Sequence, residues 1–404
     1  MHPVAERLWR AMPKIAQDTI ATSVDRARGV KAPPTPLPDP AKPYRVLIGP
    51  VNYAGQGHLW ARALESTGLV SAKNYVHSGN NPLGYPADFT MSWRTAEHSR
   101  AWQKDMVETL SNHYTHVFFE ACMPVLGGLF KGDILKQVEL LESRGLTVGM
   151  IGHGNEIRLP SAHVAREPWS QFRDGVWESV DIIEPVAAGN LELLERLQRP
   201  TFVSTAGLLE DVPSAKLIGV IVDPDRWAND EPLLVRDRIR VVHAPTNPKL
   251  KGTTHVAPVA RKLHDEGVIE YVELEGIPHS EMPRVFAEAD VVLDQFRVGD
   301  YGVAACETMA AGRVVLAHVS EQVREEVERQ AGMPLPIPET TLDSVEEVLR
   351  DIASIDGRER YRRIAAQGPE FVRRLHDGRF SRGVLMDFIA GTATAESDGS
   401  GNRG

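Results

Sequence analysis

The sequence predicts an α/β fold in which two doubly wound domains, each built on a parallel sheet, face each other across a cleft. Short apolar runs alternate with stretches of helical periodicity, and this alternation stops near residue 205 and restarts near residue 239. A chain of 404 residues with 42% hydrophobic and 25% charged residues is also long enough for two cores. We therefore expect the functional cleft where the carboxyl ends of both sets of strands meet.

The N-terminal segment is predicted to be an appendage of this body. Residues 4–28 have apolar residues at helical spacing, and the proline-rich KAPPTPLPDPAKP that follows favours an extended linker. The mixed charges of the helix favour a strut on the body or a dimer contact over a helix lying on a membrane surface. The predicted organisation is helix and linker 1–43, first domain 44–205, inter-domain linker 206–236, second domain 237–375, a C-terminal helix packing back toward the first domain 376–390, and a disordered tail 391–404.

The strands are predicted from short apolar runs bounded by turn formers. In the first domain the runs are RVLIG at 45, THVFFEA at 115, LTVGMIG at 146 and SVDIIEPV at 179. In the second domain they are IRVVHAP, VIEYVELEG, ADVVLDQ and RVVLA. Helical stretches such as AWQKDMVETLSNH and HVAPVARKLHDEG separate them, which is typical of parallel strands with crossover helices.

The composition excludes several classes of protein. A net charge of −10 argues against a protein built to bind nucleic acid, which needs a basic face. Cys122 and Cys306 form no CxxC pair, so neither a disulfide framework nor a zinc site is indicated, and a reducing, cytoplasmic location is expected. No apolar run approaches the roughly 20 residues that span a bilayer, so any membrane contact would be peripheral.

The stretch VGDYGVAACETMAAGRVVLA, residues 298–317, predicts a loop, a helix and a strand at the cleft. A loop with Gly299 and Gly302 that opens a helix offers free backbone N–H groups to an anion such as a diphosphate. Glu307 lies on the same helix face as Val303, where a carboxylate could accept hydrogen bonds from the diol of a neighbouring ribose. The alternative is that Glu307 is a solvated helix residue.

A second anion-binding segment is HAPTNPKLKGT, residues 243–253, which runs from a strand into a helix. It places Lys249 and Lys251 just before the helix, at the same edge of the sheet. A lysine beside a helix N-terminus can bind phosphate, although either lysine could equally be a surface residue.

These segments, together with EGIPHSEMPRVFAEADVVLDQ, resemble the second domain of the retaining glycosyltransferases of family 4, which have the GT-B architecture of two Rossmann-like domains. The resemblance implies transfer of a sugar from a nucleotide diphosphate sugar to a hydroxyl acceptor such as a glycan, a lipid-linked sugar or a small-molecule glycoside. It implies that Lys251 neutralises the donor phosphates and that Glu307 binds the nucleotide ribose. Tyr301, Gly302 and Val303 would complete the donor site, with no metal and no cofactor.

Two positions depart from the family pattern. Thr246 stands where the family usually has an arginine five residues before the lysine, which leaves Lys249 as the candidate for a second positive charge. Gly299 stands where the family has the first glutamate of its paired-glutamate motif, a residue that contacts the transferred sugar. Asp300 is the substitute candidate, and it is grouped with His153 and Lys251 as a candidate catalytic residue.

The first domain adds two features at the cleft. Gly55, Gln56 and Gly57 follow the first strand and open a helix, which is again an anion-binding geometry. The alternative, a dinucleotide-binding G-x-G-x-x-G motif, fits poorly because Trp60 stands at the position of its third glycine. In the family such a loop reaches toward the donor diphosphate and the acceptor.

The second feature is MIGHGNEIRLPS, where His153 directly follows a strand. The family often has a histidine there, close to the donor sugar, where it could orient a hydroxyl or stabilise developing charge. Glu156 and Arg158 are candidates for acceptor binding. A structural role for this loop histidine is the alternative.

Other short motifs in the sequence do not indicate a functional site. Asp223 and Asp225 spell a D-x-D pair, which can hold a metal, but VDPDRW reads as a turn of the inter-domain linker. His113 and His116 lack a third ligand. No P-loop and no G-x-S-x-G sequence occurs.

The function predicted from the sequence is a metal-independent retaining glycosyltransferase with a nucleotide sugar and a carbohydrate or glycoside acceptor as its partners. Two alternatives stay open: a nucleotide-sugar epimerase of the same fold, and a non-catalytic binding or partner subunit, which the glycine at position 299 makes credible. The oligomeric state is not predicted.

Overall fold

The computed structural model describes residues 12–27, 29, 33–78, 84–173, 175–177 and 179–399. Within these residues the chain forms two parallel β-sheets flanked by helices. The predicted α/β class with two doubly wound domains is therefore confirmed.

The first sheet has seven parallel strands in the order β3-β2-β1-β4-β5-β6-β7. The strands are β1 Tyr44–Gly49, β2 Val70–Ser78, β3 Phe89–Ser92, β4 His116–Glu120, β5 Thr147–Gly152, β6 Thr201–Val203 and β7 Lys216–Leu217. Side chains on the central strands, such as Leu47 and Phe118, are fully buried, as expected for a sheet covered on both faces. The strand order reverses between β1 and β4, which opens a crevice at their carboxyl ends.

Helices cover this sheet on both sides. They are α1 Lys14–Ala27, α2 Gln56–Glu65, α3 Trp93–His98, α4 Arg100–His113, α5 Ile134–Ser143, α6 Pro160–Arg166 and α7 Val180–Leu197, with short 3₁₀ turns at Leu129–Gly132 and Ala206–Glu210. Helix α1 packs on α3, where His98 Nδ1 lies 3.1 Å from Asp18 Oδ1. The rest of the helix predicted over 4–28 lies outside the described residues.

The second sheet has four parallel strands in the order β11-β10-β8-β9. The strands are β8 Ile239–His243, β9 Ile269–Glu273, β10 Val291–Leu293 and β11 Val314–Leu316. The helices from the domain connection through this sheet are α8 Pro224–Trp227, α9 Pro248–Lys251, α10 Thr253–Asp265, α11 Met282–Ala287 and α12 Val303–Ala310. Here the order reverses between β8 and β10, so a second crevice opens at their carboxyl ends.

Five further helices end the chain. They are α13 Glu321–Ala331, α14 Val345–Ala353, α15 Ile355–Ala365, α16 Gly368–Leu375 and α17 Arg379–Gly399. The last helix crosses back to the first domain, where the ring of Phe388 lies 5.6 Å from those of Phe118 and Phe202. It continues to Gly399, past residue 390, where the sequence predicts the start of a disordered tail; residues 400–404 lie outside the described residues.

One predicted strand is wrong. SVDIIEPV lies at the start of helix α7, and the strand that joins the sheet is β6, about twenty residues later. A short apolar run cannot distinguish a strand from a helix by itself. Ile182 and Val186 are 61% and 51% exposed, so the run covers an outer helix face rather than filling a sheet.

The first sheet also reaches beyond the predicted linker boundary. Strand β7 lies within the segment 206–236 and pairs in parallel with β6. Among the described residues, none of the helices is both long and apolar enough to cross a membrane.

Candidate functional site

A cavity of 480 Å³ lies where the two crevices face each other. The first domain lines it with the loops after β1 and β5, including Tyr53 and His153. The second domain lines it with the loops after β8 and β10, including Asn247 and Gly302. The cavity therefore occupies the position that the strand pattern predicts for a ligand.

Helix α12 begins at this cavity. Gly302 is its N-cap residue and makes no side-chain cap, and both Gly302 and Val303 line the cavity. The first amides of a helix have no partner within the helix, so they can bind an anion here. The neighbouring Tyr301 is buried, and its hydroxyl lies 3.0 Å from His376 Nε2, so its side chain supports the loop.

Glu307 lies one turn into α12 and is 5% exposed. His279 Nε2 donates a hydrogen bond of 2.6 Å to Glu307 Oε1. Burial raises the pKa of Glu307, and His279 opposes that shift. Sequence reasoning missed His279, although it lies within the GIPHSEMP segment that carries the resemblance. The solvated alternative for Glu307 does not describe this buried carboxylate.

Lys251 is the last residue of the short helix α9 and is buried. Its Nζ forms an ion pair with Asp294, which directly follows strand β10, and Asp294 Oδ2 has no hydrogen-bond partner. The positive charge of Lys251 is therefore compensated within the protein. Thr246 is exposed, and Lys249 Nζ lies 5.7 Å from the centre of the Trp177 ring of the first domain.

Asp300 is buried and joins the two domains. Its carboxylate accepts hydrogen bonds of 2.8 Å from the backbone N–H groups of Gly207 and Tyr301, one on each oxygen. Burial raises the pKa of Asp300, while Arg158 and these hydrogen bonds oppose the shift. Asp300 lines the cavity, but both of its oxygens are engaged with backbone. Asp300 therefore holds the loop before α12 against the backbone of the first domain.

Gly299 has a left-handed backbone with φ of 68°, and a Cβ at this position would lie 2.5 Å from Glu167 Oε2. A larger residue would therefore be strained in this conformation and would displace the Glu167 carboxylate. Glu167 belongs to the first domain and accepts a hydrogen bond of 3.0 Å from His318 Nε2 of the second domain. His318 Nδ1 lies 2.7 Å from Glu339 Oε1. Sequence reasoning missed this contact between the domains.

The glycine loop of the first domain is more structural than predicted. Gly55 has φ of 71° at the N-cap of α2, and Gln56 is tied to Ile221 by two hydrogen bonds, of 2.6 and 3.1 Å. A Cβ on Gly57 would lie 2.5 Å from Asn74 Nδ2, so glycine allows the close packing of α2 on the sheet. Of the three predicted residues, Gln56 lines the cavity.

His153 lines the cavity and is held by the carboxylate of Glu120, a residue outside the predicted site. Its Nε2 lies 3.1 Å from Oε1 of Glu120, the last residue of β4, and Glu120 is fully buried. The ring of His153 lies 4.8 Å from that of Tyr53 and 5.5 Å from that of Trp60. A charged residue ending the apolar run THVFFEA was the available signal.

Glu156 and Arg158 follow in the same loop and line the cavity. Glu156 Oε1 accepts a hydrogen bond from the backbone N–H of His153, which fixes the loop. Arg158 is 5% exposed, and its Nε has no hydrogen-bond partner. Both residues therefore lie where a ligand would contact them.

The D-x-D pair lies at the N-terminus of α8. Asp223 Oδ1 accepts a hydrogen bond of 3.1 Å from the backbone N–H of Asp225, a turn-capping contact. No group of three or more potential metal-ligating side chains occurs in the described part of the chain.

No protein family description and no curated protein matches the sequence. The structure is nevertheless similar to Anabaena HepE in complex with UDP and glucose, with a TM-score of 0.55 and 12% identity over 86% of this chain and 99% of that one. It is also similar to sucrose-phosphate synthase from Thermosynechococcus elongatus, with a TM-score of 0.53 and 13% identity over 87% of this chain and 99% of that one. A glycosyltransferase from Rickettsia africae is similar with a TM-score of 0.54 and 11% identity, again over 87% of this chain and 99% of that one. At such low identity these similarities show the fold, which is the two-domain GT-B fold.

Proposed function

We propose that the chain is a glycosyltransferase that moves a sugar from a nucleotide diphosphate sugar to a hydroxyl group of a carbohydrate or glycoside acceptor. The observation that carries the proposal is the 480 Å³ cavity at which helix α12 begins, with the buried carboxylate of Glu307 one turn further on. Amides at a helix N-terminus suit a diphosphate, and a carboxylate beside them suits the ribose diol. The GT-B fold and the UDP bound to HepE support this choice of donor.

The proposed reaction breaks the bond between the anomeric carbon and the diphosphate oxygen and forms a bond from that carbon to the acceptor oxygen. The leaving diphosphate gains negative charge, which the amides at Gly302 and Val303 and the ammonium of Lys251 would stabilise. We propose retention of the anomeric configuration, as the resemblance to family 4 implies, with the acceptor proton passing to the leaving phosphate. The configuration of the product, read by NMR, tests this step.

We further propose that transfer needs no metal and takes place in the cytoplasm. The capping role of Asp223 supports metal independence, because its Oδ1 is already an acceptor within a turn. Transfer should persist in a chelator. Loss of transfer in the chelator, restored by magnesium or manganese, would contradict metal independence and would favour Asp223 and Asp225 as metal ligands.

The test of the whole proposal is binding followed by transfer. Thermal melting is measured with a panel of nucleoside diphosphates and nucleotide sugars, since a ligand at 100 times its Kd should stabilise the fold by about 2.7 kcal/mol. The stabilising donor is then offered with a library of glycoside acceptors, and the products are identified by mass spectrometry. Conversion of the donor sugar without transfer would instead indicate an epimerase, and binding with neither reaction would indicate a partner subunit.

A further inference from the structure

A buried arginine faces the cavity between the domains. Arg158 lies in the loop between β5 and α6, is 5% exposed, and lines both the 480 Å³ cavity and a 40 Å³ cavity beside it. Its Nε has no hydrogen-bond partner, and its guanidinium forms no ion pair with any residue that the structure describes. A guanidinium has five N–H donors, and a buried charge is costly without a partner. The cavity is the place from which a partner can come.

The two carboxylates whose charges act most strongly on Arg158, Asp300 and Asp211, have other partners. Asp300 accepts from two backbone N–H groups, and Asp211 is held by both terminal nitrogens of Arg166 at 3.1 and 2.7 Å. Burial lowers the pKa of Arg158, and the charges of Asp300 and Asp211 oppose that shift. These carboxylates therefore favour the charged form of Arg158 without occupying its donors.

The second domain brings little free positive charge to the same cavity. Lys251 is neutralised by Asp294, and Lys249 lies over the Trp177 ring. Helix α12 contributes the amides at Gly302 and Val303, which are dipoles rather than full charges. A ligand with two negative charges would thus find, at Arg158 of the first domain, a positive charge that no described carboxylate pairs with.

We propose that Arg158 binds an anionic group of the ligand across the cleft from the start of α12. The group is a pair of acidic oxygens that matches the guanidinium fork, either on the diphosphate of the nucleotide or on a carboxylate of the sugar. This inference rests on the proposed function and names the residue that recognises the charge of its substrate. It also gives Arg158 a role on the donor side rather than with the acceptor.

The test is calorimetric titration of the full chain with UDP, UDP-glucose and UDP-glucuronate. Binding of uridine, which lacks the diphosphate, is measured by ligand-observed NMR. If Arg158 binds the diphosphate, Arg158→Gln should weaken UDP binding roughly 10- to 150-fold, since bonds to a charged group are lost, and should leave uridine binding unchanged. Arg158→Lys should recover part of the affinity because it restores the charge but not the fork. Arg166→Gln is the matched control, because Arg166 is already paired with Asp211 and Glu210.

The ligands distinguish the two sources of the anionic group. An equal loss for UDP and both nucleotide sugars supports the diphosphate, and a loss confined to UDP-glucuronate supports the sugar carboxylate. Wild-type affinity for all three in Arg158→Gln would overturn the inference while leaving the proposed function standing. A wild-type chain that binds none of them would overturn the proposed function and this inference together. Arg158→Met replaces the glutamine variant if the latter does not fold.

Discussion

Glu307 and His279 are joined by a hydrogen bond of 2.6 Å, although they lie 28 positions apart in the chain. His279 is itself fixed, because its carbonyl accepts from Arg226 Nη2 at 3.1 Å and its ring lies 4.8 Å from that of Tyr85. The contact with Tyr85 comes from the first domain, so the proposed ribose site is completed by both domains. A nucleotide would therefore meet a carboxylate that is already oriented.

Replacing Glu307 with glutamine should weaken donor binding and leave the fold intact. Glutamine keeps the shape and can still accept from His279, but it loses the charge-assisted bonds to a ribose diol, so affinity for UDP should fall by about 1.5–3 kcal/mol, or 10- to 150-fold. Calorimetric titration measures the affinity, and thermal melting checks the fold. The control is Glu325→Gln, at an exposed position of α13. Wild-type UDP affinity in Glu307→Gln would show that the carboxylate serves only to hold His279.

Variants of the buried pair Lys251 and Asp294 can distinguish an effect on the stability of the fold from an effect on the rate of transfer. Lys251→Met leaves the Asp294 carboxylate buried alone, so the free energy of unfolding should fall by about 3–5 kcal/mol in urea titrations. Adding Asp294→Leu removes the stranded charge and should restore most of that loss. If Lys251 stabilises the leaving diphosphate, the double variant should still show a reduced turnover number. Turnover equal to wild type in the double variant would assign the pair to structure alone.

His318 should make the stability of the fold depend on pH. Burial alone would lower its pKa, but Glu167 and Glu339 raise the pKa of His318 from the usual 6.5 to about 9. Because the folded pKa is raised, the contribution is fully present below pH 6.5 and is lost as the pH rises through 9. It amounts to about 3 kcal/mol.

Urea unfolding between pH 6 and 9.5 measures this contribution. The loss of stability above neutral pH should be much smaller in His318→Gln, whereas the exposed His113→Gln should behave as wild type. Since Glu167 and His318 belong to different domains, small-angle scattering at high pH should also report a wider cleft. An identical pH profile in His318→Gln would refute the assignment.

The pair of Glu120 and His153 should act on the rate rather than on nucleotide binding. If Nε2–H of His153 is held by Glu120, Nδ1 is the acceptor of the neutral ring, and the ring orientation is fixed beside the cavity. Glu120→Gln and His153→Gln should each lower turnover about 100-fold with little change in UDP affinity. The double variant should be no slower than the single ones, as expected for residues that act as a unit. Additive losses would argue against a shared role.

Local patterns predicted most of the fold because they reflect what each segment must bury. RVLIG and THVFFEA are buried on both sheet faces, so their composition identifies them as strands. The strand prediction for SVDIIEPV is wrong because its apolar residues continue into a helical pattern that ends only at Gln198, a residue with left-handed conformation. The length of the periodic segment, rather than its first residues, distinguishes this helix from a strand.

The sequence predicts where in the fold the candidate site lies, but not which side chains contact each other there. Loops after parallel strands must meet at one edge of a sheet, which is why His153, Lys251 and Val303 could be placed near the cleft. Lys251 and Asp294 are 43 positions apart, and their contact depends on side-chain positions that no local pattern encodes. The two cavities that Arg158 lines are likewise formed by residues of both domains, which no local pattern encodes.

The return of helix α17 to the first sheet has a consequence for synthesis of the chain. Leu385 and Ile389 are fully buried in one cluster with Val46 and Trp60, so the core that begins near the N-terminus is completed near the C-terminus. A ribosome releases the first domain long before this helix, which leaves the aromatic face around Phe118 uncovered during translation. Expression of the first domain alone would leave that face open as well, and a stable fragment would need α17 supplied as a separate peptide.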